Sequence, residues 1–135
     1  MSNSILLTMG YRYINVNPRN LYVEDCVIRS IALSERSSWD DIFMDLSVLG
    51  LDLCDKVDSN YVWQTYLKRL GYRKVIILNS YKNNFTIADF CRINSKCEGL
   101  LGTGSHLVYV HNGNYYDNWD CGSKVPIWFF TKGDF

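Results

Sequence analysis

A chain of 135 residues with 47% apolar and 21% charged residues fits one globular domain that can bury a core without disulfide staples. Its formal net charge is zero and no stretch gathers Lys and Arg into a block, which argues against nucleic-acid binding and against a basic membrane-surface helix. No apolar run is long enough to span a bilayer, and residues 1–10 lack the charged start and apolar stretch of a signal peptide. The five cysteines, an odd number with no CxxC spacing, predict free thiols in a reducing cytoplasm, of a cell or of a virus-infected host, rather than a disulfide framework or a structural zinc site.

In chain order, residues 5–16 read as extended, with Tyr11, Tyr13 and Asn15 alternating against Arg12, Ile14 and Val16. Pro18 and Asn20 mark a turn. Asp25 stands just before Val27, Ile28, Ile31 and Ala32, which is helical spacing behind an acidic N-cap, so Cys26 falls at the first helical position. Ser38 and Asp41 predict a capping box for a second helix through Trp39, Ile42, Phe43, Leu46 and Leu49, with Gly50 as its stop. A third helix is expected over 60–70 with Val62, Trp63, Tyr66 and Leu67 on its apolar face. A short strand follows at 75–78, and Thr86 and Asp89 cap a fourth helix containing Phe90 and Cys91. From Gly99 onward the pattern becomes strand-like, at 100–101, 106–111, 115–119 and 127–131. Asn112-Gly113 forms a two-residue hairpin turn, because both positions tolerate positive φ. Helices first and antiparallel strands second make an α+β domain.

Two features concentrate chemistry. A helix N-terminus favours the thiolate of Cys26 through its free N–H groups and dipole, and a nearby imidazole completes the activation. A two-residue turn at Asn112-Gly113 places His111 opposite Asn114, Val110 opposite Tyr115, Val108 opposite Asp117 and His106 opposite Trp119. Side chains alternate along each strand, so His106, Val108, Val110, Tyr115, Asp117 and Trp119 share one face. Asp117 is then the diagonal neighbour of His106, where a carboxylate can fix the tautomer of a base, and the Trp119 indole can exclude water. A one-residue bulge would swap the faces and favour Asn118 or Asp120.

Order, spacing and local sequence resemble the papain-like cysteine peptidase superfamily: a cysteine opening a helix, Asn20 six residues before it, a downstream histidine, then Asp117-Asn118-Trp119 and Gly122. With an aspartate in the third role, the pattern is most similar to the small C39-like branch. The resemblance implies a single papain-like domain over 1–135, whose N-terminal helices, including the nucleophile helix, pack on a C-terminal antiparallel β-sheet. It implies a cysteine-nucleophile hydrolase that cleaves a peptide, isopeptide or amide bond through an acyl-enzyme. The roles it implies are Cys26, His106 and Asp117 as the triad, Asn20 in the oxyanion hole in place of the family's glutamine, and Trp119 in support. It implies no cofactor and a protein or peptide substrate. The residues after the nucleophile, Val27-Ile28-Arg29, differ from the Trp-Ala of papain.

Two other readings compete. One is a catalytically silent papain-like module, for example a virally encoded one, that binds a partner protein. The other is a metal site from His106, His111 and Cys121, which parity disfavours because it sends the two histidines to opposite faces. Asp25 reads as a structural N-cap, and Cys121 as a turn residue before Gly122 and Ser123.

Overall fold

The structure is a computed structural model that describes residues 10–135, so residues 5–9 of the expected first extended segment lie outside it. The elements run β1 (Tyr11–Tyr13), α1 (Cys26–Glu35), α2 (Trp39–Leu53), α3 (Asn60–Arg69), β2 (Arg73–Ile76), α4 (Ile87–Ile93), β3 (Glu98–Gly102), β4 (Leu107–His111), β5 (Asn114–Asp117) and β6 (Trp128–Thr131). The described residues form an α+β fold with four helices and a six-stranded mixed sheet. None of the helices is long and apolar enough to cross a membrane.

Helix starts follow local chemistry. Ser38 caps α2 by accepting from the Asp41 N–H at 3.0 Å, and Ser59 caps α3 from the Val62 N–H at 3.1 Å. Thr86 and Asp89 form a complete reciprocal box on α4, whereas no bond from the Asp41 side chain closes the one expected on α2. Gly50 does not stop α2, which continues to Leu53 and ends at Cys54 in the left-handed region. Gly50 serves a close approach instead, since a Cβ there would sit 3.0 Å from the Asp55 carbonyl oxygen.

The sheet order is β1-β5-β4-β3-β6-β2. The β1–β5 pair is parallel and the other pairs are antiparallel. This corrects the expectation of an antiparallel sheet following the helices. β2 falls between α3 and α4 in sequence, and β1 joins the far edge in parallel because a long connection separates it from β5.

Alternation along the central strands builds two cores. Leu100, Leu107, Tyr109 and Phe130 face α1, α2 and α3, where they pack with Ile31, Leu46 and Leu67. Leu101, Val108, Val110 and Phe129 face the opposite way and pack with Ile87, Phe90 and Cys91 of α4. Both faces of β3 and β4 are therefore covered, which explains why they read as continuous apolar runs. Full burial of Ile31, Leu46 or Leu67 contributes about 2 kcal/mol each. The hairpin has the register expected from its turn, with His111 opposite Asn114, Val110 opposite Tyr115 and Tyr109 opposite Tyr116.

Candidate active site

Cys26 is the first residue of α1, but the residue before it does not act as a side-chain cap. Asp25 has φ −119° and ψ 23° and makes no capping bond. Its carboxylate is engaged elsewhere. Oδ1 accepts from Arg29 Nε at 2.6 Å, and Oδ2 accepts from Asn17 Nδ2 and from the Trp39 indole N–H, both at 3.0 Å. A guanidinium in a buried setting outcompetes a neutral backbone donor for a carboxylate, so the expected N-cap becomes half of an ion pair. The free N–H groups and dipole of the first turn are left directed at the space in front of Cys26.

His106 stands immediately before β4, at the open end of the hairpin. Its Nε2 lies 2.6 Å from Oδ2 of Asp117, the last residue of β5. The other oxygen, Oδ1, accepts from Arg29 Nη1 and from the Asn118 backbone N–H, each at 2.8 Å. Burial opposes the imidazolium. The hydrogen bond to Asp117, the nearby Cys26 sulfur and the negative charge of Asp117 outweigh it and carry His106 from 6.5 up to about 9. Asp117 is 1% exposed, yet its carboxyl is held below the usual range, because His106 and Arg29 outweigh the burial that would raise it. The Trp119 ring lies 4.9 Å from the imidazole, tilted at 54°, and the indole is 40% exposed, so it covers one side of the base without closing the site.

These groups open onto a cleft of about 600 Å³, whose lining includes Tyr22, Cys26, Trp63, His106, Asn118 and Trp119. Asn20 is not part of that lining. It is exposed at φ 54°, with its N–H bonded to the Asn17 carbonyl at 2.9 Å and its Oδ1 accepting from Asn15 Nδ2 at 3.2 Å. An asparagine tolerates this left-handed turn conformation, which accounts for the residue type without any role at the thiol. The structure thus brings together Cys26, His106, Asp117 and Trp119 but leaves Asn20 outside.

Asp120, the alternative orienting group, accepts from the Tyr115 hydroxyl at 2.5 Å and from the Gly122 N–H at 3.0 Å. The three paired positions nearest the turn are in register, and His106 is bonded to Asp117, not to Asp120. Cys121 is fully buried, and one ligating atom from each of His106, Asp117 and Cys121 lies within 4.8 Å of the others. His111 stands apart from this group, against Tyr109 with ring centroids 6.1 Å apart. The trio fits a cation poorly. Burial, then the charge of Asp117, push the Cys121 thiol far up, and a protonated thiol is a weak ligand. Asp117 also already carries a guanidinium.

Arg29 and Asn17 are the site residues that sequence reasoning missed. Arg29 is 6% exposed within a run of six buried residues of α1. Its signal was the Asp25–Arg29 spacing of four on a helix otherwise apolar there, an arrangement that favours an ion pair. Its second partner, 88 positions away, leaves no local trace. Comparisons with protein-family models, curated proteins and solved structures give no match.

Proposed function

We propose that this protein is a papain-like cysteine hydrolase acting on a peptide, isopeptide or amide bond. The observation that carries the reading is an imidazole bonded to a buried carboxylate at 2.6 Å, with that imidazole and a cysteine that begins a helix both lining an open cleft. In this mechanism the Cys26 thiolate attacks the carbonyl carbon, and negative charge develops on the oxygen in front of the first turn of α1. The imidazolium of His106 gives its proton to the leaving amine as the C–N bond breaks. Water then attacks the thioester, giving one proton back to His106 and releasing the acid. Asp117 holds the imidazole through these transfers. The Cys26 backbone N–H is the oxyanion donor we assign, and removing one such donor costs about 3 kcal/mol of transition-state stabilisation.

The exposed charged residues of the cleft, Glu24 and Asp58, are acidic, which favours substrates carrying Lys or Arg near the scissile bond. All five cysteines are unpaired, which suits work in a reducing compartment such as the cytoplasm. One observation favours the silent binding module instead: Asn20 stands outside the cleft and supplies no oxyanion donor.

Limiting iodoacetamide at about pH 6, below the ordinary thiol value of about 8.5, separates the two readings when modified cysteines are mapped by mass spectrometry. The hydrolase reading expects Cys26 to react far ahead of Cys54, the exposed cysteine, and to lose that lead in His106→Ala. Equal rates for Cys26 and Cys54 in the folded protein would sink it.

A further inference from the structure

Asp117 divides its carboxylate. Oδ2 serves His106, and Oδ1 is occupied by Arg29, whose Nε simultaneously grips Asp25 at 2.6 Å. Asp25 is itself fixed from two other sides, by Asn17 from the preceding loop and by Trp39 from α2. Asp25, Arg29 and Asp117 are 4%, 6% and 1% exposed, so this is a desolvated bridge in which no fully buried side-chain nitrogen or oxygen lacks a partner. Two buried carboxylates share one guanidinium, and the unbalanced negative charge is left to face His106.

We propose that Arg29 is a positioning residue for the base. Its guanidinium holds one oxygen of Asp117 so that the other is aimed at the imidazole, and its charge limits how much of the carboxylate's field reaches the ring. The inference rests on the hydrolase reading for its purpose, though not for its measurement. The planar fork of arginine spans Asp25 and Asp117 at once, whereas the ammonium of a lysine is a single point and cannot reproduce both directed bonds. The same side chain therefore ties the residue before the nucleophile to the carboxylate behind the base, through an Arg29–Asp117 contact that spans 88 positions of sequence.

The titratable groups around the imidazole are Cys26 from α1, Asp117 from β5 and Cys121 beyond it, with Glu24 and Asp58 further out on the cleft lining. A purely structural arginine and a field-setting one predict opposite changes at His106. If Arg29 only supports the fold, removing it loosens the His106–Asp117 bond, and the imidazole falls back toward 6.5. If Arg29 tempers Asp117, removing it exposes the ring to more negative charge, and the imidazole rises above its present value of about 9.

The test is an NMR titration of the His106 ring in the double variant Asp25→Asn/Arg29→Gln, which removes one charge of each sign and leaves no bare buried pair of carboxylates. The expected result is a midpoint raised by about half a unit or more, with no rise in Asp25→Asn alone. An unchanged or lowered midpoint in the folded double variant overturns the proposal. Arg29→Lys gives a second measurement that stands even if the double variant does not fold. It is expected to slow Cys26 alkylation at pH 6 at least about fivefold while the fold persists, because it keeps the charge and loses the fork. Wild-type reactivity in Arg29→Lys would overturn the positioning role. The titration needs no turnover, so it remains interpretable if Cys26 proves inert and the hydrolase reading fails.

Discussion

The N-termini of α1 and α4 begin from the same kind of sequence, an oxygen-bearing residue ahead of an apolar run, and end in opposite states. At α4, Thr86 accepts from the Asp89 N–H while the Asp89 carboxylate accepts from the Thr86 N–H, so the helix start is closed by its own residues. At α1, Asp25 turns away to Arg29, Asn17 and Trp39, and no side chain closes the start. A capped terminus has spent its dipole on stability, whereas an uncapped one with a thiol at its first position can direct that dipole at an anion. The difference lies in the partners on offer, since Asp25 has the guanidinium of Arg29 four residues on, held in the core by its second bond to Asp117.

The largest expected effect comes from removing that cation. Arg29→Met leaves Asp25 and Asp117 buried together with only the His106 imidazolium, on the Asp117 side, as counter-charge and should destabilise by about 3–5 kcal/mol in urea unfolding. A loss below about 1 kcal/mol would mean that the bridge is not desolvated as described. Phe90→Ala, in the wholly apolar core under α4, should cost a comparable 3–5 kcal/mol through the cavity it opens, yet leave the rate of Cys26 alkylation in the folded protein unchanged. Slower alkylation in that variant would show that the two faces of the sheet are not independent.

Next in size is a dependence on pH. His106 is raised from 6.5 to about 9, so the stability contributed by its imidazolium is complete below about pH 6.5 and is lost as pH rises through about 9. Asp117 is depressed, so its contribution is present above the ordinary aspartate range and is lost as pH falls through its folded-state value. Unfolding free energy measured across this range should therefore decline on the alkaline side, and His106→Ala should flatten that limb. An unaltered alkaline limb in the variant would remove His106 as its source. The smallest effect is expected at the closed terminus. Thr86→Ala should cost about 1 kcal/mol and leave the thiol untouched. A changed alkylation rate there would blur the contrast between the two helix starts.

Local and periodic signals were legible in the sequence. The start of α1 at Cys26, the Thr86–Asp89 box and the Asn112-Gly113 hairpin depend on neighbours a few residues apart; the ladder ends at Tyr109–Tyr116, so His106 and Asp117 meet beyond the paired register rather than within it. Features that depend on distant partners were not legible. The parallel docking of β1 on β5 is one, and the second grip of Arg29 on Asp117 is another. Gly50 and Asn20 misled for a related reason. Gly50 was read as a helix stop but is set by the approach of the Asp55 carbonyl, and Asn20 keeps the turn role read for it while the oxyanion role implied by the resemblance finds it outside the cleft lining.

The position of β6 has a consequence for how the two parts of the sheet are joined. This strand follows the other described strands in sequence yet sits inside the sheet, between β3 and β2. Among the described residues β2 has no other strand partner, and Phe130 from β6 packs edge-on against Trp63 of α3 at 5.2 Å. Until β6 pairs, β2 is detached from the rest of the sheet and Trp63, on the cleft lining, lacks its Phe130 neighbour. Contacts this distant in sequence form slowly and late, so the Trp63 side of the cleft is expected to set after the local β4–β5 hairpin.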